Sequence, residues 1–130
     1  MKNIALTLAL ILLPITAHAS AVAPTQCPSV AAIQSTKFWI EKERGDEDFY
    51  AIQENKNYDS TEPTSEWTFY LRRIKAASLE QAYHNANLAL DTLNFKNGPS
   101  RGPFRGSYLC NYEVGFGYSA YAMTGYPWDM

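Results

Sequence analysis

Imidazole and thiol are both scarce in this chain. Of 130 residues, only His18 and His84 are histidines and only Cys27 and Cys110 are cysteines. A Ser or Cys nucleophile needs a general base within hydrogen-bond reach, and zinc needs three or four Cys, His or acidic ligands. That inventory supplies neither. The sequence also lacks a G-x-G-x-x-G run, a phosphate-binding loop, a C-x-x-C-H haem attachment run and EF-hand spacing among its acids. Positive charge is not in excess: 11 Lys and Arg stand against 13 Asp and Glu. Nucleic-acid phosphates and anionic membrane surfaces reward basic faces, so neither is an expected partner. Together these absences point away from an enzyme and towards a binding protein.

Long apolar runs are missing too, except at the N-terminus. Lys2 precedes an apolar run over Ile4–Thr16, interrupted by Pro14, and Ala17-His18-Ala19 follows as a small-x-small site. This is the pattern of a cleavable signal peptide over residues 1–19, too short to span a bilayer as an ordinary helix. Pro24-Thr25-Gln26 before Cys27 lacks the small residue that lipoprotein processing needs. Cleavage removes Lys2 and no acid, so 11 basic residues become 10 against 13 acidic, a formal charge of −3. The expected destination is the periplasm or the medium, with no stable membrane insertion. In such an oxidising compartment Cys27 and Cys110 pair by default; two free thiols or an intermolecular bond are the alternatives. Closing a loop of that length adds roughly 4–5 kcal/mol in the chain-entropy picture.

What remains is the length of one domain, expected over residues 27–124, with a flexible lead-in at 20–26 and a tail at 125–130. Cys27-Pro28-Ser29 opens a short helix with Pro28 at its first position and Val30, Ala31 and Ile33 inward. Lys37–Glu43 and Asp48–Glu54 alternate and flank Gly45, a hairpin signal. Asn55–Ser65 reads as an exposed loop. Glu66–Ile74 places Trp67, Phe69 and Leu71 on one face of a strand and Thr68, Tyr70 and Arg72 on the other. Ser78–Asn94 reads as a helix with an S-x-x-Q capping box. Its apolar stripe is Leu79, Ala82, Tyr83, Ala86, Ala89, Leu90 and Leu93. The Gly- and Pro-rich stretch 97–106 reads as a loop, and 108–114 and 116–124 as two further strands. The expected fold is α+β: an antiparallel sheet of about five strands, one main helix on one face, and a short N-terminal helix.

Few side chains offer chemistry. His84 sits opposite the helical stripe and reads as solvated. Glu43, Asp46, Glu47 and Asp48 cluster at the hairpin turn and read as solvated acids. Tyrosine is the unusual resource, nine in all. Tyr108, Tyr112, Tyr118 and Tyr121 lie close in sequence; Tyr108, Cys110 and Tyr112 share one face, and Tyr118 and Tyr121 fall on opposite faces of their strand. Tyrosines can simply fill half-buried sheet positions. They can also form a surface for a planar ligand, and a tyrosinate can ligate haem iron, with Arg72, Arg101 or Arg105 pairing its propionates. A protein partner is the alternative, met through a sheet edge or through Tyr126 and Trp128 in the tail.

Several runs together carry a family resemblance. They are Cys27-Pro28-Ser29-Val30, Ala32-Ile33-Gln34, Glu66-Trp67-Thr68-Phe69, Asn85-Ala86-Asn87-Leu88-Ala89-Leu90, Phe95-Lys96-Asn97-Gly98-Pro99 and Cys110-Asn111-Tyr112. With the leader, they make the chain resemble small secreted proteins of Legionella-type bacteria grouped as a domain of unknown function, DUF4949. Some of these carry the name hemin-binding protein. The resemblance covers most of residues 27–124 and implies hemin as a ligand. It supplies no catalytic signature and assigns no haem ligand to a position.

Overall fold

Period-two alternation builds most of this molecule, and one helix covers the sheet that results. The computed structural model describes residues 23–45, 47–59 and 66–125. The expected leader, residues 20–22 of the lead-in, Asp46, residues 60–65 of the expected loop and the tail aromatics Tyr126 and Trp128 lie outside the described residues. The elements run α1 (Val30–Gln34), β1 (Phe38–Lys42), β2 (Phe49–Gln53), β3 (Trp67–Ile74), α2 (Leu79–Leu90), β4 (Asn94–Arg101), β5 (Tyr108–Glu113) and β6 (Ser119–Thr124). The strands form one sheet in the order β1-β2-β3-β6-β5-β4, and every pairing is antiparallel. The fold is α+β, with six strands where about five were expected.

The additional strand is β4. Gly98 and Pro99 make its sequence look like a loop, yet it pairs with β5 from Asn94 to Arg101. A register shift between Asn97 and Ser100 spans the two residues, and another lies just before them, between Phe95 and Asn97. Proline has no N–H to give a ladder and is tolerated on edge strands and at bulges; β4 is an edge. The last strand begins at Ser119 rather than Phe116, because 114–118 forms the turn from β5.

The helices differ from expectation at their ends. In α1, Ser29 is the N-cap and accepts the Ala32 N–H at 3.1 Å. Pro28 therefore precedes the helix instead of opening it, and Ala31 faces solvent. In α2, Ser78 Oγ accepts the Gln81 N–H at 3.1 Å, and Gln81 Oε1 reaches back to the Ala77 N–H. The helix stops at Leu90, capped by Asp91, short of the expected Asn94. Ala82, Ala86 and Ala89 are fully buried, so the helix lies close on β1, β2 and β3. Leu79, in the first turn, is 51% exposed and leaves the expected stripe.

The core lies between α2 and the face bearing Trp67, Phe69 and Leu71, all buried as alternation predicts. Ile74 is buried as well, three residues after Leu71, which breaks the parity. Ala51 pairs with Leu71 but Phe49 pairs with Ile74, so Arg72 and Arg73 together face Tyr50. This is a β-bulge, a device that re-aims side chains. Arg73 adopts φ +65, a left-handed conformation costing roughly 1–2 kcal/mol for a residue with a Cβ. Glu43 Oε2 accepts the Arg73 N–H at 3.2 Å and helps to hold it.

A disulfide joins Cys27 to Cys110, with Cα atoms 5.9 Å apart, and fixes the N-terminal arm to β5. The buried Tyr112 hydroxyl donates to the Pro28 carbonyl on the same arm. Gln53 Nε2 donates to the carbonyls of Ile33 at 2.8 Å and Thr36 at 3.0 Å, and its Oε1 accepts from the Tyr58 hydroxyl.

These buried phenols give the fold an alkaline limit. Burial raises the pKa of Tyr58 and of Tyr112 above the ordinary 10.0. An acid whose folded pKa lies above its unfolded value contributes stability that is whole below the unfolded pKa and lost as pH rises. Urea midpoints measured from about pH 8 to about pH 12 are therefore expected to fall once the unfolded tyrosines ionise. The double variant Tyr58→Phe/Tyr112→Phe should show a shallower fall; an equal slope would assign the limit to other groups.

Candidate functional site on the open sheet face

Alternation sends every second side chain away from α2, and among the described residues no helix covers that second face. Register aligns one such residue from each strand. Trp39 pairs with Ile52, Ile52 with Tyr70, Tyr70 with Tyr121, Tyr121 with Asn111 and Asn111 with Asn97. The row crosses all six strands, from aromatic at the β1 end to amide at the β4 end. At its centre the rings of Tyr70 and Tyr121 stack, with centroids 5.2 Å apart and planes 26° apart.

The neighbouring row carries charge. Arg72, opposite Ser119, forms an ion pair with Glu43. The hydrogen bond to Glu43, then that to the Tyr121 hydroxyl, raises the guanidinium pKa further above its ordinary value. Glu41 ties together two aromatics: its carboxylate accepts from Trp39 Nε1 at 3.0 Å and from the Tyr50 hydroxyl at 3.1 Å. Desolvation first, and then the bond to Glu41, pushes the Tyr50 phenol pKa up. Glu43, Arg44, Tyr50, Tyr70, Arg72 and Tyr121 line a hollow of about 270 Å³. A second hollow of about 620 Å³ lies over β4, β5 and β6, and Tyr121 belongs to both.

The acidic turn is more than a solvated patch. Glu43 holds Arg72 and the bulge, and buried Asp48 pairs with Lys75 at 2.9 Å. Asp46 lies outside the described residues. His84 is exposed on α2. Among the described residues, no group of three or more His, Cys, Asp or Glu could hold a metal ion.

The four tyrosines singled out in the sequence do not converge on one surface. Tyr121 is on the open face. The Tyr112 ring is in the core, edge-on to Phe69 and Phe95, with its hydroxyl given to Pro28. Tyr118 is half-buried against the core and 5.6 Å from Phe116. Tyr108, also packed on the core, lies at the other end of β5 from Tyr112. Tyr112, Tyr118 and Tyr121 all border the larger hollow. Arg105 is exposed in the turn before β5, and Arg101 pairs with Tyr108. Both lie at the opposite end of the sheet from Arg72, whose guanidinium is hydrogen-bonded to Tyr121. Tyr50, Tyr70 and Glu43 complete the constellation; the alternation of β3 already placed Tyr70 and Arg72 on one face, but their partners come from distant strands.

A fixed guanidinium beside stacked phenol rings can bind an anion and a flat ring together. Comparison with family models, with curated proteins and with solved structures finds no match.

Proposed function

We propose that this protein is an exported, non-catalytic binding module whose open sheet face takes a planar anionic ligand, with hemin the specific ligand. The observation that carries this reading is Arg72, set between Glu43 and the Tyr121 hydroxyl beside the Tyr70–Tyr121 stack. Tyrosinate is a known ligand of ferric haem, and Tyr121 lines the hollow that holds Arg72. Tyr121 is thus the residue that fits iron, and Arg72 or Arg44 the residue that fits a ligand carboxylate. Bound hemin would supply a ferric centre and an intense visible absorption. At about 270 Å³ the hollow is small, so a macrocycle would lie across its rim. The buried phenol of Tyr112 does not fit such a role.

The Cys27–Cys110 bond supports export, since structural disulfides persist in oxidising compartments. The resemblance to proteins called hemin-binding agrees on ligand class and adds no residue. An envelope or host-contact interaction module finds less support at the sheet edges. On β1 the Ile40 N–H is taken by the Tyr83 hydroxyl at 3.1 Å, and β4 carries Pro99 and two register shifts. Such features blunt strand addition.

Hemin titrated into the protein is expected to shift its Soret band. Tyr121→Phe should abolish the tyrosinate signature, and Arg72→Ala should weaken binding by about tenfold or more, the value of a lost charge-assisted bond. Tyr112→Phe should bind as the wild type does. An unshifted band, or an unchanged one in Tyr121→Phe, defeats the proposal.

A further inference from the structure

The larger hollow on the same face has a different chemistry. Its polar lining comes from Lys96, Asn97, Asn111, Glu113 and Ser119, with Tyr121 as a wall. One cation and one anion face it, so it presents no net charge, unlike the hollow beside Arg72. Its volume of about 620 Å³ falls among those of small-molecule sites, roughly 300–1,000 Å³. From these features we infer that the hollow over β4, β5 and β6 is a second binding site, for a neutral polyhydroxylated ligand of the saccharide class.

The amide pair is the first reason. Asn111 Nδ2 donates to Asn97 Oδ1 at 2.9 Å. That bond orients both amides and leaves Asn97 with an NH₂ donor and Asn111 with a carbonyl acceptor. A hydroxyl group donates and accepts at once, so two adjacent hydroxyls match an adjacent donor and acceptor. Ser119 adds a hydroxyl of its own. The ring is the second reason. The C–H face of a sugar carries partial positive charge and packs on the negative face of an aromatic ring. Register supplies the spacing: Tyr121, Asn111 and Asn97 occupy three successive strands of one row. Neighbouring strands lie about 4.8 Å apart, so ring and amides together span the width of a sugar ring and its substituents.

The test uses the protein in solution, with cellotriose, chitotriose and maltotriose as probes in saturation-transfer and amide-shift NMR. At least one probe is expected to receive saturation and to move the side-chain amide signals of Asn97 and Asn111. Asn97→Ala, at an exposed edge position, should lower affinity about tenfold. Asn111→Ala should do at least as much, while His84→Ala, exposed on α2, should leave sugar binding intact. Silence with all three probes at about 10 mM, well above millimolar affinity, overturns the inference. So does binding that survives Asn97→Ala and Asn111→Ala, or that is lost equally in His84→Ala. Sugar binding in a protein that leaves the Soret band of hemin unmoved supports this site and removes the other.

Discussion

Reducing the Cys27–Cys110 bond, or replacing both cysteines with alanine, is expected to lower the free energy of unfolding by about 4.5 kcal/mol, the chain-entropy value for a loop of this size. The two residues are 83 apart in sequence, so the bond removes a large share of the unfolded chain's freedom. Its position makes full use of that constraint. Cys110 is wholly buried in the middle of β5, next to the centre of the sheet, and Cys27 leads directly into α1. Set against typical domain stabilities of about 5–15 kcal/mol, the loss would take the molecule most of the way to unfolding. Urea denaturation with and without reductant measures it. A loss below about 2 kcal/mol would mean that Tyr112 and Gln53 hold the arm without help.

Gly98→Ala is expected to cost about 3 kcal/mol, combining backbone strain of about 1–3 kcal/mol with overpacking of similar size. Gly98 has φ +128, where a residue with a Cβ is strained. A Cβ there would also meet the Leu109 carbonyl oxygen at 2.8 Å, Cys110 Cα at 2.9 Å and Cys27 Sγ at 3.2 Å. Two of these are backbone atoms of the paired strand and cannot swing away. Gly45→Ala is the control: its φ is +70, but a Cβ there meets nothing within 4 Å, so it should cost only about 1 kcal/mol. Thermal unfolding of the two variants side by side separates the packing contribution from the conformational one. Equal losses would show that the crowding around Gly98 relaxes freely.

Local periodicity made much of this fold legible. Trp67, Phe69 and Leu71 declare a strand face, and Ser78 and Gln81 a helix start, because each signal lies within one turn or one pleat. The scarcity of cysteine, with an apparent leader, was enough to pair Cys27 with Cys110. Contacts between distant segments were harder to see. That β6 lies between β3 and β5, so that Tyr121 meets Tyr70, depends on strand order, which no local pattern encodes. The bulge at Arg72–Arg73 depends on Glu43, some 30 residues away. Tyr108, Cys110 and Tyr112 do share a face, as alternation requires, but alternation cannot say which face is the core. The buried Cys110 answers that, and it takes Tyr112 inward with it. In β4, Gly98 and Pro99 concealed a strand because the register shifts that accommodate them are set by β5.

A sheet that exposes aromatic rings on one side carries a hazard, since such a surface invites stacking and an open strand edge gives that stacking a direction to grow. Here both ends of the sheet are terminated. The Tyr83 hydroxyl occupies the Ile40 N–H at one border, and Pro99, with its flanking register shifts, interrupts the other. Ribbon-like growth from copy to copy therefore has no regular ladder on which to start. Among the described residues, the exposed rings are thus bordered by strand edges interrupted at Ile40 and at Pro99.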